Sequence, residues 1–114
     1  MNQFFAKQVL DMGVYGIVWP HVSTVEEARN AVAACRYPRP PSAPFFEPAG
    51  LRGDAPKHAA PYWGLTAQEY YARADVWPLN PKGEILVVIQ CEEAKAIRNL
   101  PKMLKEVPGI GCVL

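Results

Sequence analysis

A continuous apolar run, Ile85–Ile89, gives a clear strand signal and ends abruptly at Gln90 and Glu92. An aliphatic run without polar alternation is typical of a strand that is buried on both faces of a parallel sheet. Side chains alternate along a strand, so Gln90 and Glu92 are expected on one face and Cys91 on the other. The pattern therefore predicts an amide and a carboxylate at the carboxyl end of a buried strand, which is the edge where α/β proteins bind ligands.

Helix-like and strand-like periodicities alternate along the rest of the chain. In the first half the predicted elements are a helix capped by Asn2 and running to about Met12, a strand over residues 14–19, and a helix from Ser23 or Thr24 to about Arg36. In the second half they are a helix from Thr66 to about Ala74, a helix from about Glu93 that stops at Pro101, a short helix over residues 102–106 capped by Asn99, and a strand over residues 111–114. Capping boxes support two of these helix starts, because a hydroxyl is followed three residues later by glutamate. The order predicts an α/β fold with about three parallel strands and right-handed crossovers.

A proline-rich arm, residues 38–64, separates the two halves of this pattern. Its prolines stand at positions 38, 40, 41, 44, 48, 56 and 61. Proline fixes φ and removes a backbone donor, so little regular structure is expected in the arm. Phe45, Phe46, Tyr62 and Trp63 are too apolar for a simple solvated linker, so we expect the arm to be ordered against another subunit or against the main body of the fold.

The 114 residues carry 12 basic and 11 acidic side chains, which gives a net charge of +1. This balance, without a basic stripe or a charge block, argues against nucleic acid and membrane surfaces as partners. The length favours a single domain over residues 1–114, and no apolar run approaches the ~20 residues that span a bilayer. The first residues do not have the pattern of a signal peptide. Cys35, Cys91 and Cys112 lack metal-ligand spacing and predict buried, reduced thiols in a cytoplasmic protein.

Gln90 and Glu92 form a candidate cation site, because hard divalent cations bind carboxylate oxygens. Such a site needs a second acid, and no other predicted strand end offers one. The alternative is that Glu92 only opens the following helix, where an acidic group interacts favourably with the positive end of the helix dipole.

Three other features could carry chemistry. His21 follows the first strand and is either a general base or a solvated, hydrogen-bonded residue, and His58 in the arm allows the same two interpretations. The Gly-Leu-Arg-Gly turn at residues 50–53 either holds an anion through Arg52 and backbone donors or carries a solvated arginine. Gly-x-Gly-x-x-Gly and Walker-type loops are absent from the sequence, so these nucleotide-binding motifs are excluded.

Several segments resemble one known family, the HpcH/HpaI aldolase/citrate lyase group of class II metal-dependent pyruvate aldolases. Residues 7–20 are similar to its helix-to-strand segment, and residues 23–38 are similar to its next helix and the exit from that helix. The turn at residues 50–53 resembles its Gly-x-Arg-Gly turn. Residues 89–92 match the strand end that bears a metal-binding glutamate, and residues 100–111 resemble the segment before the next strand.

The resemblance implies a (β/α) TIM-barrel fold and homo-oligomers. It also implies carbon-carbon lyase chemistry on 2-keto-hydroxy acids through a pyruvate enolate, with a divalent metal (Mg²⁺, Mn²⁺ or Co²⁺) as Lewis acid. Carried over onto this sequence, Glu92 would be a metal ligand and Gln90 would lie beside it in the substrate pocket.

Other parts of the family's site have no counterpart in this sequence. The second metal carboxylate, in a Gly-x-x-Asp-Leu motif, would follow Leu114, and the catalytic histidine and the pyruvate-binding arginine would precede Met1. No catalytic residue is therefore assigned, and neither His21 nor Arg52 takes these roles. We expect a partial barrel, a fragment or truncated form of an aldolase, that binds metal weakly or not at all and is inactive alone. The alternative is a non-catalytic oligomerising or binding protein that retains the scaffold.

Overall fold

The computed structural model describes residues 3–114, so the predicted Asn2 cap lies outside the described residues. Within them the helices are α1 (Gln3–Asp11), α2 (Val25–Ala34), α3 (Ala59–Tyr62), α4 (Ala67–Arg73) and α5 (Ala94–Glu106). The strands are β1 (Gly16–Trp19), β2 (Val76–Trp77), β3 (Ile85–Ile89) and β4 (Cys112–Val113). None of the helices in this described part is long and apolar enough to cross a membrane.

The central strand of the single sheet is β3, and all of its neighbours run parallel to it. β1 pairs along one side, from Gly16 opposite Leu86 to Trp19 opposite Ile89. β2 and β4 pair one after the other along the opposite side. This confirms the α/β class with parallel strands. It adds one strand to the three predicted, because β2 has only two residues and is too short to show a period-2 pattern.

The helices cover only one face of this sheet. Ile85 and Val87 are fully buried on that face. On the other face Val18 is 51% exposed, Trp77 is 49% exposed and Leu86 is 37% exposed; we call this the open face. The prediction that β3 is buried on both faces is therefore wrong for this chain, because Leu86 is exposed and Val88 is only half-buried on the open face.

Helix α5 runs through Pro101 without a break. The prediction of two helices separated at Pro101, with Asn99 capping the second, is wrong. Proline cannot donate to the carbonyl four residues earlier, that of Ile97, but Ile97 is exposed, so water can satisfy this carbonyl. Asn99 instead donates from its side-chain amide to the Ser23 carbonyl oxygen at 2.7 Å.

Between α2 and α3 the described chain forms turns without a helix or strand. Arg36 organises this stretch, since its buried guanidinium donates to the backbone carbonyls of Phe45, Phe46 and Pro48. The same guanidinium pairs with Asp75, the residue before β2. These bonds connect the first part of the arm to the residue that precedes β2 in the same chain. α3 lies inside the arm, and the proline pattern did not predict it.

Two predictions about individual side chains are corrected by their burial. Arg52 is buried, so the prediction of a solvated arginine in the turn at residues 50–53 is wrong. Of the three free thiols, only Cys35 is buried, whereas Cys91 is half-buried and Cys112 is exposed. Burial raises the pKa of the Cys35 thiol to about 12, which keeps it protonated at neutral pH. The last strand lies at the margin of the sheet, and this explains the exposure of Cys112.

Candidate functional site

The carboxyl ends of β1 and β3 lie side by side because the two strands pair in parallel, with Trp19 opposite Ile89. β1 leads through a short loop into α2, and Thr24 caps that helix by accepting a hydrogen bond from the backbone N–H of Glu27. β3 leads into α5, whose N-cap residue is Glu93. Both loops thus start at the same edge of the sheet, which we call the carboxyl edge.

His21 and Glu92 are in direct contact at the carboxyl edge. The backbone N–H of His21 donates to Glu92 Oε2 at 3.0 Å, and His21 Nδ1 lies 2.9 Å from the same oxygen. The imidazole is 71% exposed and the carboxylate side chain is 42% exposed, so solvent reaches both. Sequence reasoning did not pair these residues, because they are 71 positions apart and only the pairing of β1 with β3 brings them together.

Three further hydrogen bonds hold the loop after β1 against the end of β3 and the start of α5. The backbone N–H of Val22 donates to the Gln90 carbonyl at 3.1 Å. The Ser23 carbonyl accepts from Asn99 Nδ2 at 2.7 Å, and the Ser23 hydroxyl donates to Glu93 Oε2 at 3.4 Å. The loop that carries the histidine is therefore fixed relative to the strand that carries the carboxylate.

Gln90 and Glu92, the two residues predicted for this site, both lie at the carboxyl edge. Gln90 is half-buried and its backbone N–H donates to the Trp19 carbonyl at 2.9 Å, while its side-chain amide bonds to no described residue. The alternative interpretation, that Glu92 only opens the next helix, does not match the structure. Glu93 is the capping residue of that helix, and the Glu92 carboxylate turns towards His21.

At this edge the residues present fit one ligand of a divalent-cation site and not a whole site. Mg²⁺ takes octahedral oxygen ligands, commonly one or two protein carboxylates together with waters and substrate oxygens. Over residues 3–114, no group of three or more His, Cys, Asp or Glu side chains is arranged to hold a metal ion. Glu92 supplies a carboxylate, and one of its oxygens already accepts from His21.

The remaining sequence candidates are not part of this edge. Arg52 Nη2 donates to Asp11 Oδ1 at 3.1 Å and to the Tyr70 hydroxyl at 2.6 Å, and the guanidinium carbon lies 4.3 Å from the centre of the Tyr37 ring. Its role is therefore to join α1, the arm and α4, and not to bind a solvent anion. His58 directly precedes α3 in the arm, and no described contact joins it to the carboxyl edge.

Comparison with known proteins gives a family match along the whole chain. The family model described as HpcH/HpaI aldolase/citrate lyase matches residues 1–114. The chain is similar to a 2-keto-3-deoxy-L-rhamnonate aldolase of Klebsiella pneumoniae, with 37% identity over 113 residues that cover 98% of this chain and 36% of that protein. It is also similar to a 5-keto-4-deoxy-D-glucarate aldolase of Shigella boydii, with 31% identity over 107 residues that cover 94% of this chain and 35% of that protein.

A solved structure agrees with this match. The crystal structure of a HpcH/HpaI aldolase/citrate lyase family protein from Burkholderia cenocepacia superimposes with a TM-score of 0.73 at 26% identity, covering 98% of this chain and 38% of that one. The chain thus spans about a third of the length of the curated relatives it matches. Since the family model covers every residue and the parallel sheet superimposes on a family member, this chain belongs to the HpcH/HpaI aldolase/citrate lyase family.

Proposed function

We propose that this chain is a β/α segment of a (β/α) barrel in a divalent-metal-dependent aldolase that cleaves 2-keto-hydroxy acids. In this proposal Glu92 supplies one metal ligand and Gln90 lines the substrate pocket. The observation that carries it is the position of Glu92, a half-exposed carboxylate at the carboxyl edge of the central parallel strand. Ligand-binding residues of β/α barrels lie at this end of their strands.

The uncovered surfaces of the sheet support a barrel segment. Parallel sheets normally have both faces covered, yet Val18, Trp77 and Leu86 expose apolar side chains on the open face. Beside the outer edge of β1, Phe5 and Val9 of α1 line an apolar groove of about 490 Å³. Exposed strand edges and apolar patches favour association. We therefore propose that further β/α units cover these surfaces, either from the same polypeptide or from other copies in a homo-oligomer.

The described residues support a partial role in catalysis and not a full reaction. Aldol cleavage needs a base that takes a proton from the substrate hydroxyl and a cation site that stabilises the negative charge which develops on the keto acid. The carboxyl edge offers the carboxylates of Glu92 and Glu93, the exposed imidazole of His21 and the side-chain amide of Gln90, which bonds to no described residue. We expect weak divalent-metal binding by this chain, because these side chains are not arranged as a group of three metal-binding residues within residues 3–114.

A second candidate function is a non-catalytic oligomerising or binding protein that retains the aldolase scaffold. The observation that favours it is that Glu92 Oε2 already has two partners in His21: it accepts from the backbone N–H at 3.0 Å, and it lies 2.9 Å from Nδ1. The two candidates differ in whether Glu92 binds a cation. Only the aldolase proposal predicts that metal binding depends on this side chain.

We expect Glu92→Gln to abolish the weak Mn²⁺ binding of the chain, because the substitution removes the carboxylate charge and keeps the side-chain shape. Water-proton relaxation during Mn²⁺ titration measures the effect. The matched control is Glu84→Gln, which makes the same charge change at the amino end of the same strand, next to Arg73. Equal Mn²⁺ binding by the wild type and Glu92→Gln would contradict the metal role and favour the binding protein.

A further inference from the structure

A cavity of about 520 Å³ lies between the arm and α4, at the opposite edge of the sheet from Glu92. Its lining residues are Tyr37, Pro38, Arg39, Ala43, Asp54 and Tyr71. This location follows from the path of the chain, because α2 returns from the carboxyl edge, and Arg36 just after it pairs with Asp75, the residue before β2. Small-molecule sites have volumes of ~300–1,000 Å³, so the cavity has room for a small ligand.

Apolar and aromatic side chains supply much of the cavity wall. The rings of Tyr37 and Tyr71 meet edge to face, with their centroids 5.2 Å apart and an angle of 71° between their planes. The guanidinium carbon of Arg52 lies 4.3 Å from the centre of the Tyr37 ring and supports that ring within the fold. Pro38 and Ala43 add aliphatic surface. Because aromatic rings pack well in offset or edge-to-face arrangements, this wall favours a ligand with a ring-bearing, apolar body.

The cavity also holds a cation and an anion that do not form an ion pair with each other. Arg39 Nη2 lies 2.7 Å from Asp75 Oδ2, but the same carboxylate also pairs with the buried Arg36. Two guanidinium groups and one carboxylate leave this cluster with one surplus positive charge. Asp54 forms no ion pair with a described residue, and its Oδ1 accepts a hydrogen bond from the Tyr71 hydroxyl. The cavity wall therefore carries one uncompensated charge of each sign.

The Tyr71 hydroxyl fixes Asp54 at the cavity wall without neutralising it. Its hydrogen bond to Asp54 raises the pKa of Tyr71, so the proton stays on the tyrosine and the negative charge stays on the carboxylate at neutral pH. Asp54 Oδ2 bonds to no described residue, and neither do Nε and Nη1 of Arg39. A ligand in the cavity thus has access to a carboxylate oxygen and to guanidinium donors that the fold leaves free.

We propose that this cavity binds an aromatic α-amino acid, with its carboxylate against Arg39, its ammonium against Asp54 and its ring against Tyr37 and Tyr71. Charge complementarity favours a zwitterion over an acid or an amine of the same shape, because a ligand with a single charge leaves one charge of the cavity without a partner. Charge-assisted hydrogen bonds to the guanidinium and the carboxylate fix the orientation of the ligand. The site shares no residue with the carboxyl edge, so its test is independent of the metal role proposed for Glu92.

Three probes of nearly the same shape test the requirement for both charges. L-Phenylalanine carries both, 3-phenylpropionate lacks the ammonium group and phenethylamine lacks the carboxylate. In NMR titrations that follow the ring signals of Tyr37 and Tyr71, with the exposed Tyr15 as reference, we expect L-phenylalanine to bind at least about 10-fold more tightly than either other probe. Absence of L-phenylalanine binding up to about 10 mM would overturn the inference. Equal affinity for the three probes would also overturn it, because the cavity would then select only for apolar shape.

Two substitutions assign the two charges to their residues. Asp54→Asn keeps an acceptor for the Tyr71 hydroxyl and removes the charge, so it should weaken L-phenylalanine and phenethylamine about 10-fold and leave 3-phenylpropionate unchanged. Arg39→Gln should weaken L-phenylalanine and 3-phenylpropionate and leave phenethylamine unchanged. The control is Arg98→Gln, which removes an exposed arginine of α5 outside the cavity. Unchanged L-phenylalanine affinity in both cavity variants would overturn the inference, and if a variant does not fold, the comparison of the three probes on the wild type still decides it.

Discussion

Replacing Asp75 with alanine is expected to lower the free energy of unfolding by about 3–5 kcal/mol, because it leaves the buried guanidinium of Arg36 without its counter-charge. Asp75 Oδ1 lies 2.7 Å from Arg36 Nε, and Oδ2 accepts from Arg36 Nη2 at 3.1 Å. Arg39 Nη2 lies 2.7 Å from Oδ2, and Asn80 Nδ2 donates to Oδ2 at 3.0 Å. The same guanidinium donates to three backbone carbonyls of the arm, so the substitution is expected to destabilise the arm as well as the residues around β2. Urea denaturation followed by circular dichroism measures it.

The pH dependence of stability gives this prediction a second readout. Burial alone would raise the pKa of the Asp75 carboxyl, but the hydrogen bonds from Arg36 and Asn80 outweigh burial and lower the pKa below its ordinary value. A pKa that is lower in the folded state contributes stability above the unfolded value of about 4, and this is lost as the pH falls through the folded value. The unfolding free energy of the wild type should thus fall more steeply below pH 4 than that of Asp75→Asn.

The control for Asp75 is an ion pair of the same charge type on the surface. Lys102 and Glu106 lie one helical turn apart in α5, with Lys102 Nζ 4.0 Å from Glu106 Oε2, and both side chains are exposed. Glu106→Gln is expected to change the unfolding free energy by no more than about 0.5 kcal/mol, because exposed pairs contribute little. A similar loss in Glu106→Gln and Asp75→Ala would contradict the assignment of Asp75 as a buried counter-ion.

Replacing Arg52 with methionine is expected to lower the free energy of unfolding by about 3 kcal/mol. Methionine keeps most of the apolar packing but leaves the Tyr70 hydroxyl and one Asp11 oxygen without their donor, and it removes the stacking of the guanidinium on Tyr37. Arg52→Lys should recover only part of the loss, since an ammonium cannot reproduce the planar stacking. The measurement is again urea denaturation.

An exposed arginine provides the comparison for Arg52. The Arg73 side chain is 53% exposed, and its Nη1 lies 3.7 Å from Glu84 Oε2. Arg73→Met should cost less than about 1 kcal/mol, because solvent screens this pair. If Arg52→Met were as mild as Arg73→Met, the turn at residues 50–53 would not depend on a buried guanidinium, and the sequence-based interpretation of a solvated arginine would regain support.

Local signals in the sequence were sufficient for the elements that frame the site. The Thr24–Glu27 pair marked the start of α2, and the aliphatic run marked β3. The predicted end of the first helix near Met12 lies one residue past its observed end, just before Gly13, whose φ is +105°. These features depend on residues close in sequence, so their physical causes can be read from the sequence directly. The family resemblance, which the comparisons confirm, came from the same segments.

Features that depend on distant residues could not be predicted in this way. The contact of His21 with Glu92 requires the register of β1 on β3, and the pair of Arg36 with Asp75 joins residues 39 positions apart. A glycine-flanked turn favours the prediction of a solvated arginine. Only the contacts of Arg52 with Asp11 of α1 and Tyr70 of α4 show that its side chain is buried. Helix continuity through Pro101 likewise depends on local solvent exposure, which the sequence does not carry.

Pyruvate release from 2-keto-4-hydroxy acids, with added Mg²⁺, Mn²⁺ or Co²⁺, tests most directly whether Glu92 is one ligand of an incomplete metal site. We expect no release above the buffer rate from the purified chain of residues 1–114, because over residues 3–114 no group of three or more His, Cys, Asp or Glu side chains is arranged to hold a metal ion. Metal-dependent release that is lost in Glu92→Ala and kept in Glu84→Ala would contradict this expectation. It would show that the chain, alone or by self-association, forms a complete site.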